Sequence, residues 1–206
     1  MGAGADHAGA VSEGSRPVQI TSTARAEALL RRLGADNTPH PGGTLLAHLA
    51  RVRDRLALWR ARPALQLAGL CHAAYGTDGF PTALLPLESR AELTATIGPD
   101  AEGIVYFYAS CDRKATYACL AGPGSAAVFS FRDRFTGRTY VPDLPLRQAF
   151  AELTAANELD LARRDRAFRD RWAPDLLALF TRLRPLLSTA AWQECLTVLA
   201  PAGHGS

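Results

Sequence analysis

The chain predicts an all-α fold of about seven to nine helices with one inserted β-hairpin. Three observations carry this. Apolar residues recur at helical spacing in segment after segment, as in Ala26, Leu29, Leu30 and Leu33, then Leu45, Leu49, Val52, Leu56 and Trp59. Only one pair of alternating runs, 128–133 and 138–141 around Phe135-Thr136-Gly137, has the pattern of a hairpin. Strands and helices do not alternate along the chain as an α/β fold requires.

Taken in order, residues 1–19 read as a flexible arm. A first helix follows, capped by Ser22 or Thr23 and closed by Gly34. The segment 35–43, with Pro39-His40-Pro41-Gly42-Gly43, reads as a loop, and a second helix spans 44–60. A third, 64–74, is apolar nearly all round and therefore buried; Gly76 and Gly79-Phe80-Pro81 end it. A short helix at 86–97 stops at Gly98-Pro99. Asp100 and Glu102 suit the start of the next, whose aromatic run reaches Asp112 at helical spacing. Ala121-Gly122-Pro123-Gly124 marks a turn, and the hairpin occupies 127–141. Helices at 146–165, 174–183 and 189–199 complete a single domain over 20–199, Ser188 caps the last, and 200–206 is a flexible tail.

Length and composition narrow the function classes. A chain of 206 residues with a net charge of +3 has enough length for one full core and too little charge for a nucleic-acid stripe. Its basic residues are arginines apart from Lys114, and they alternate with acids as in Arg163-Arg164-Asp165-Arg166, the pattern of a solvated helix face. Cys71, Cys111, Cys119 and Cys195 have no CxxC spacing and read as buried reduced thiols. No apolar run suits a membrane span, and the start of the chain lacks the basic and apolar regions of a secretory signal, so a cytoplasmic location is expected. No Walker loop, GxGxxG or GxSxG occurs.

The chemistry concentrates in histidines. His40 precedes the second helix, His48 lies near its apolar face, and His72 ends the buried third helix. Three imidazoles so placed can converge, and neutral imidazole is a common transition-metal ligand. Asp112 and Asp78 are the acids best placed to complete such a cluster. Each residue also has a plainer role: His40 as an exposed loop residue, His48 as a core histidine, His72 as a helix C-cap, Asp112 paired with Arg113. Arginines at 132, 134 and 138 place positive charge on the hairpin, where a lid could grip an anion. Asn157, Glu158 and Asp160 lie on a predicted helix, with Asn157 and Asp160 three apart on one face.

The order His40, then Leu70-Cys71-His72-Ala73, then Cys111-Asp112-Arg113 resembles the HD-domain superfamily. These are all-α proteins, mostly metal-dependent phosphohydrolases with some diiron oxygenase branches. Their pattern is an early His, an apolar helix ending in a His-Asp pair, and a distant Asp. Asp112-Arg113 is similar to the late Asp-Arg of the branch that hydrolyses guanosine tetraphosphate. The stretch is also similar to a subgroup of bacterial and fungal HD-like proteins with a His-Gly-Arg-Thr-Leu-Leu-type start, here 40–46, and an Ala-Gly-Leu-Phe-His-x-x-Tyr-Gly-Thr core, here 68–77.

The resemblance implies an HD-like helical bundle with His40 (or His48), His72 and Asp112 as metal-facing positions; with both histidines the set for one divalent transition metal, if any is bound, is His40, His48, His72 and Asp112. His72, Asp112 and His48 would carry catalysis; Tyr75, Thr77, Asp78, Arg113 and Asn157 would line the substrate site. Ala73 breaks the pattern, because a methyl group stands where the family has its paired Asp. Either His48 replaces that carboxylate, or the metal is lost and the cleft does other work. The functional expectation is a small polar metabolite bound in a histidine-lined cleft, with metal-assisted hydrolase or lyase chemistry. The alternatives are a non-catalytic binding or scaffold protein and an oxygenase of specialised metabolism. A small-molecule ligand is expected, with no nucleic acid and no membrane; a homodimer is left open.

Overall fold

Residues 21–120 and 129–200 are described by a computed structural model. The expected arm at 1–19, the turn at 121–124, the first residues of the hairpin run and the tail from 201 lie outside these residues. Thr21 opens α1 (Ser22–Arg32), its Oγ1 accepting the Ala24 N–H at 3.2 Å, so the cap sits one residue before Ser22. Pro39–His40 (β1) and Gly43–Thr44 (β2) then pair antiparallel around Pro41-Gly42, where a loop was expected. Gly42 supplies the positive φ of 78° that this tight turn needs. Thr44 caps α2 (Leu45–Leu58).

Proline at N1 opens α3 (Pro63–Cys71), which is buried as its apolar sequence predicts. It lies against α2 so closely that a Cβ on Gly69 would come within 2.5 Å of Leu56 Cδ1. Gly69→Ala is therefore expected to destabilise the protein by about 1–2 kcal/mol, overpacking outweighing the gain in helix propensity. Urea unfolding checks this; unchanged or higher stability would mean that Leu56 swings aside at no cost.

A 3₁₀ turn (Leu87–Ser89) leads into α4 (Arg90–Ile97) and, past Gly98, α5 (Pro99–Ala109). The helix expected to run on to Asp112 stops here. Cys111 leaves it to bridge Asp133 of the hairpin, and Asp112 caps a further helix, α6 (Arg113–Cys119), that the sequence reading missed. The hairpin is β3 (Phe131–Arg132) with β4 (Thr139–Tyr140), shorter than expected. Buried Asp133 holds its turn by accepting the N–H groups of Phe135 at 2.8 Å and Thr136 at 3.0 Å.

Asp143 caps α7 (Leu144–Arg164), and Asp165 ends it and caps α8 (Arg166–Leu183). α8 was expected to begin at 174, yet it runs through Pro174 and starts two turns earlier. A 3₁₀ turn (Arg184–Leu186) and α9 (Thr189–Leu199), capped by Ser188 as expected, close the described chain. The architecture is all-α with small antiparallel hairpins, as the sequence predicts. Its axis is α7, which packs against α2, α3, α5, α8 and α9. Phe150 of α7 is ringed by Phe107, Tyr108, Tyr117, Phe129 and Phe131, which tie α5, α6 and the hairpin to it. None of the helices with described residues is long and apolar enough to cross a membrane.

Candidate functional site

The β1–β2 turn, the N-terminal part of α2 and the end of α3 bring the three histidines together. The rings of His40 and His48 stack with centroids 4.1 Å apart, and His72 meets His48 edge-on at 5.3 Å. They line a cavity of about 720 Å³ with Ala73, Thr77, Arg113, Tyr117, Asn157 and Glu158. Its other wall is α8, which contributes Phe168, Trp172, Leu176 and Leu179.

The acid that joins the histidines is Asp160, which shares a helix face with Asn157 but is not among the site residues expected from sequence. Its carboxylate, 1% exposed, accepts His48 Nδ1 at 2.8 Å and Arg51 Nε and Nη2, each at 2.8 Å; Arg55 Nη1 lies at 3.7 Å. Burial pushes the Asp160 carboxyl up, but His48 and Arg51 outweigh it and hold the group well below the usual carboxylate range. The chain of contacts continues across the cavity floor. His48 Nε2 meets Asn157 Oδ1 at 3.1 Å, Asn157 Nδ2 donates to Glu158 Oε1 at 3.2 Å, and Arg113 Nη1 donates to the same oxygen at 3.1 Å. Arg113 Nη2 in turn donates to the Tyr108 hydroxyl at 3.2 Å. A polar network continuous from Asp160 to Tyr108 fixes the floor as a rigid surface.

His72 and His40 stand outside that network. His72 Nδ1 donates to the Gly69 carbonyl at 2.8 Å, which settles the tautomer and leaves Nε2 as an acceptor. Burial, and then the neighbouring His48, lower the His72 pKa to about 3 and that of His40 to about 4. Both rings are therefore neutral near pH 7, and His72 can accept a hydrogen bond or a proton but has none to give as an acid. His40 Nδ1, the Tyr117 hydroxyl and Arg182 Nε are buried without a hydrogen-bond partner, and all three residues line the cavity.

The remaining expected site residues divide. Arg113, Asn157 and Thr77 line the cavity, although the Thr77 hydroxyl is already an acceptor for the Phe80 N–H at 3.0 Å. Asp112 does not. Its Oδ1 accepts the Ala115 N–H at 2.9 Å and its Oδ2 faces Arg132 at 3.6 Å, because the chain needs it to start α6. Asp78 is likewise spent on the Arg113 backbone N–H at 2.9 Å. Tyr75 turns away from the cavity to donate to Glu102 at 2.9 Å, an acid held from its other side by Arg90. The hairpin arginines do not reach the cavity: Arg134 is pinned to the Ala109 carbonyl at 2.8 Å. Cys71, Cys111 and Cys195 are buried, and burial pushes each thiol up to about 12; Cys119 is exposed, against expectation.

These residues do not fit the four-donor metal set that the resemblance implies. Asp112 is engaged elsewhere, Ala73 offers no ligand, and both His48 nitrogens face protein oxygens. Among the described residues no group of three or more His, Cys, Asp or Glu has metal-binding geometry. On the opposite side of Asp160, Arg51, Arg55, Arg163 and Arg164 border a shallower depression of about 600 Å³.

The model of one family, described as Domain of unknown function (DUF6817), matches residues 29–113. That stretch is similar to this family. It covers less than half of the chain: it includes the three histidines and ends before Tyr117 and α7, so half of the cavity lies outside it. No curated protein and no solved structure matches.

Proposed function

We propose that this chain binds a small molecule in the histidine-floored cavity, and that the site works without a metal. The observation that carries the reading is the set of buried polar atoms on cavity-lining residues, His40 Nδ1 and the Tyr117 hydroxyl foremost, that no protein group satisfies. A buried polar group left unpaired costs about 1–3 kcal/mol, which a bound partner recovers. The cavity volume falls within the range of ordinary small-molecule sites, roughly 300–1,000 Å³. His72 Nε2 is the neutral acceptor placed to hold a hydrogen-bond donor of the bound molecule, with the Asp160–His48–Asn157 chain fixing the surface beneath.

Thermal-shift screening against a metabolite panel tests this, run in parallel on the wild type and Ala178→Trp. Ala178 is exposed yet lines the cavity, so an indole there narrows it without disturbing the core. Compounds that stabilise the wild type, by up to about 2.7 kcal/mol at a hundredfold excess over Kd, and not the variant are the expected result. Equal shifts in both proteins would place binding elsewhere. Metal analysis of protein purified without chelator is expected to find less than about a tenth of an equivalent. A stoichiometric metal would return the reading to the HD-type hydrolase or lyase, with His40 and His72 as first candidates for its ligands.

A further inference from the structure

We infer that the ligand of this cavity is an uncharged, ring-bearing apolar molecule with a hydroxyl group, not a phosphorylated or otherwise ionic metabolite. The inference rests on the proposed binding role and names the chemistry of what is bound. Charge is the first argument. Glu158 and Arg113 pair with one another at 3.1 Å, and Asp160 is neutralised from within the protein by Arg51. On the α8 wall Asp175 and Arg182 carry opposite signs two turns apart. The lining charges, Arg113 and Arg182 against Glu158 and Asp175, sum to zero, so the site has no net positive charge for a phosphate drawn out of water, a transfer that is costly unless the ion is paired.

The walls give the second argument. Leu45 and Phe80 face the cavity from one side, and Leu161, Phe168, Trp172 and Leu176 from the other. Trp172 is 39% exposed, among the large apolar side chains left furthest from full burial in the described residues. Flat aromatic side chains around a slot of this size favour a ring over a flexible polar chain. The third argument is the set of unpartnered groups on the lining, the Tyr117 phenol, His40 Nδ1 and Arg182 Nε. A phenol wants an acceptor first, and an imidazole nitrogen wants an acceptor or a donor according to its tautomer. A hydroxyl both accepts and donates, so it suits either of these in either tautomer, and its oxygen also accepts from an N–H such as Arg182 Nε.

Calorimetric titration with three probes of one ring system tests the inference: 2-naphthol, 2-methoxynaphthalene and 2-naphthyl phosphate. 2-Naphthol is expected to bind the wild type at least about tenfold more tightly than the phosphate, a difference of about 1.4 kcal/mol, and to lose its affinity in Ala178→Trp. It should also bind more tightly than the methyl ether, which cannot donate, and Tyr117→Phe should shrink that advantage. Equal or tighter binding of 2-naphthyl phosphate overturns the ligand class and leaves the site standing. An advantage over the ether that is absent, or unchanged in Tyr117→Phe, overturns the hydroxyl assignment. No binding of any probe up to about 1 mM, or equal binding to Ala178→Trp, overturns the cavity reading together with the inference.

Discussion

Asp160→Asn is expected to cost about 3–5 kcal/mol of folding stability, the largest single effect of any substitution in the site. The variant keeps the shape of the side chain and removes only its charge. What remains is Arg51 beside a group that no longer compensates it, with His48 bonded to a neutral partner, while Arg55 keeps Glu194 at 3.0 Å. Breaking a buried pair by removing one partner leaves the other charge desolvated, which is why the loss exceeds that of a surface ion pair, about 0–1 kcal/mol. Urea unfolding at pH 7 measures it. A loss below about 1 kcal/mol would mean that solvent reaches Arg51 freely, and the buried network would not be what fixes the cavity floor.

Stability is expected to fall steeply as the solution is acidified from pH 6.5 towards 4. His72 and His40 ionise near 6.5 when unfolded, but burial lowers them to about 3 and about 4 in the fold. Between those values the unfolded chain binds protons that the folded chain refuses. Each group's contribution is complete above pH 6.5 and is lost as pH falls, at up to about 1.4 kcal/mol per pH unit. His72, 3% exposed, should contribute close to that limit, and the more exposed His40 less. Asp160 belongs to a different window. Its folded carboxyl lies below the ordinary value near 4, so what it contributes is present above about pH 4 and is lost only below. Urea unfolding from pH 7 to 4.5 therefore reads the imidazoles alone of these three groups. His72→Phe should remove most of the slope, and a wild-type profile flat across that range would contradict neutral buried histidines.

The sequence was a good guide wherever burial and period agreed. α3 is apolar all round and is buried; His40, His48 and His72 belong to segments whose caps and breaks are readable, and they converge as expected. It was a poor guide where a polar residue serves the interior. α7 carries Glu152, Asn157, Glu158 and Asp160, so its pattern resembles a solvated helix, yet each of these is buried against a partner from another segment. The spacing of Asn157 and Asp160 on one face was the available signal; the arginines that make Asp160 affordable, Arg51 and Arg55, lie about a hundred residues away in sequence. Asp112 failed for the converse reason. Its position after an apolar helical run suggests a site residue, but the Cys111 bridge to the hairpin turns the chain, and the carboxylate is used to begin α6. The unsatisfied Tyr117 hydroxyl was invisible as well, because the whole of α6 was unforeseen.

The stacked histidines also bear on how the floor can move. His40 is carried by a hairpin turn, His48 by α2 and His72 by the end of α3, three segments that share no hydrogen-bonded ladder at the site. Their rings lie 4.1 and 5.3 Å apart, in contact in series from His40 through His48 to His72. At the turn Gly42 packs against Arg164 so closely that a Cβ there would come within 3.0 Å of its side chain. His48, held at both nitrogens, is thus the fixed bearing on which the His40 ring, stacked 4.1 Å away, must seat.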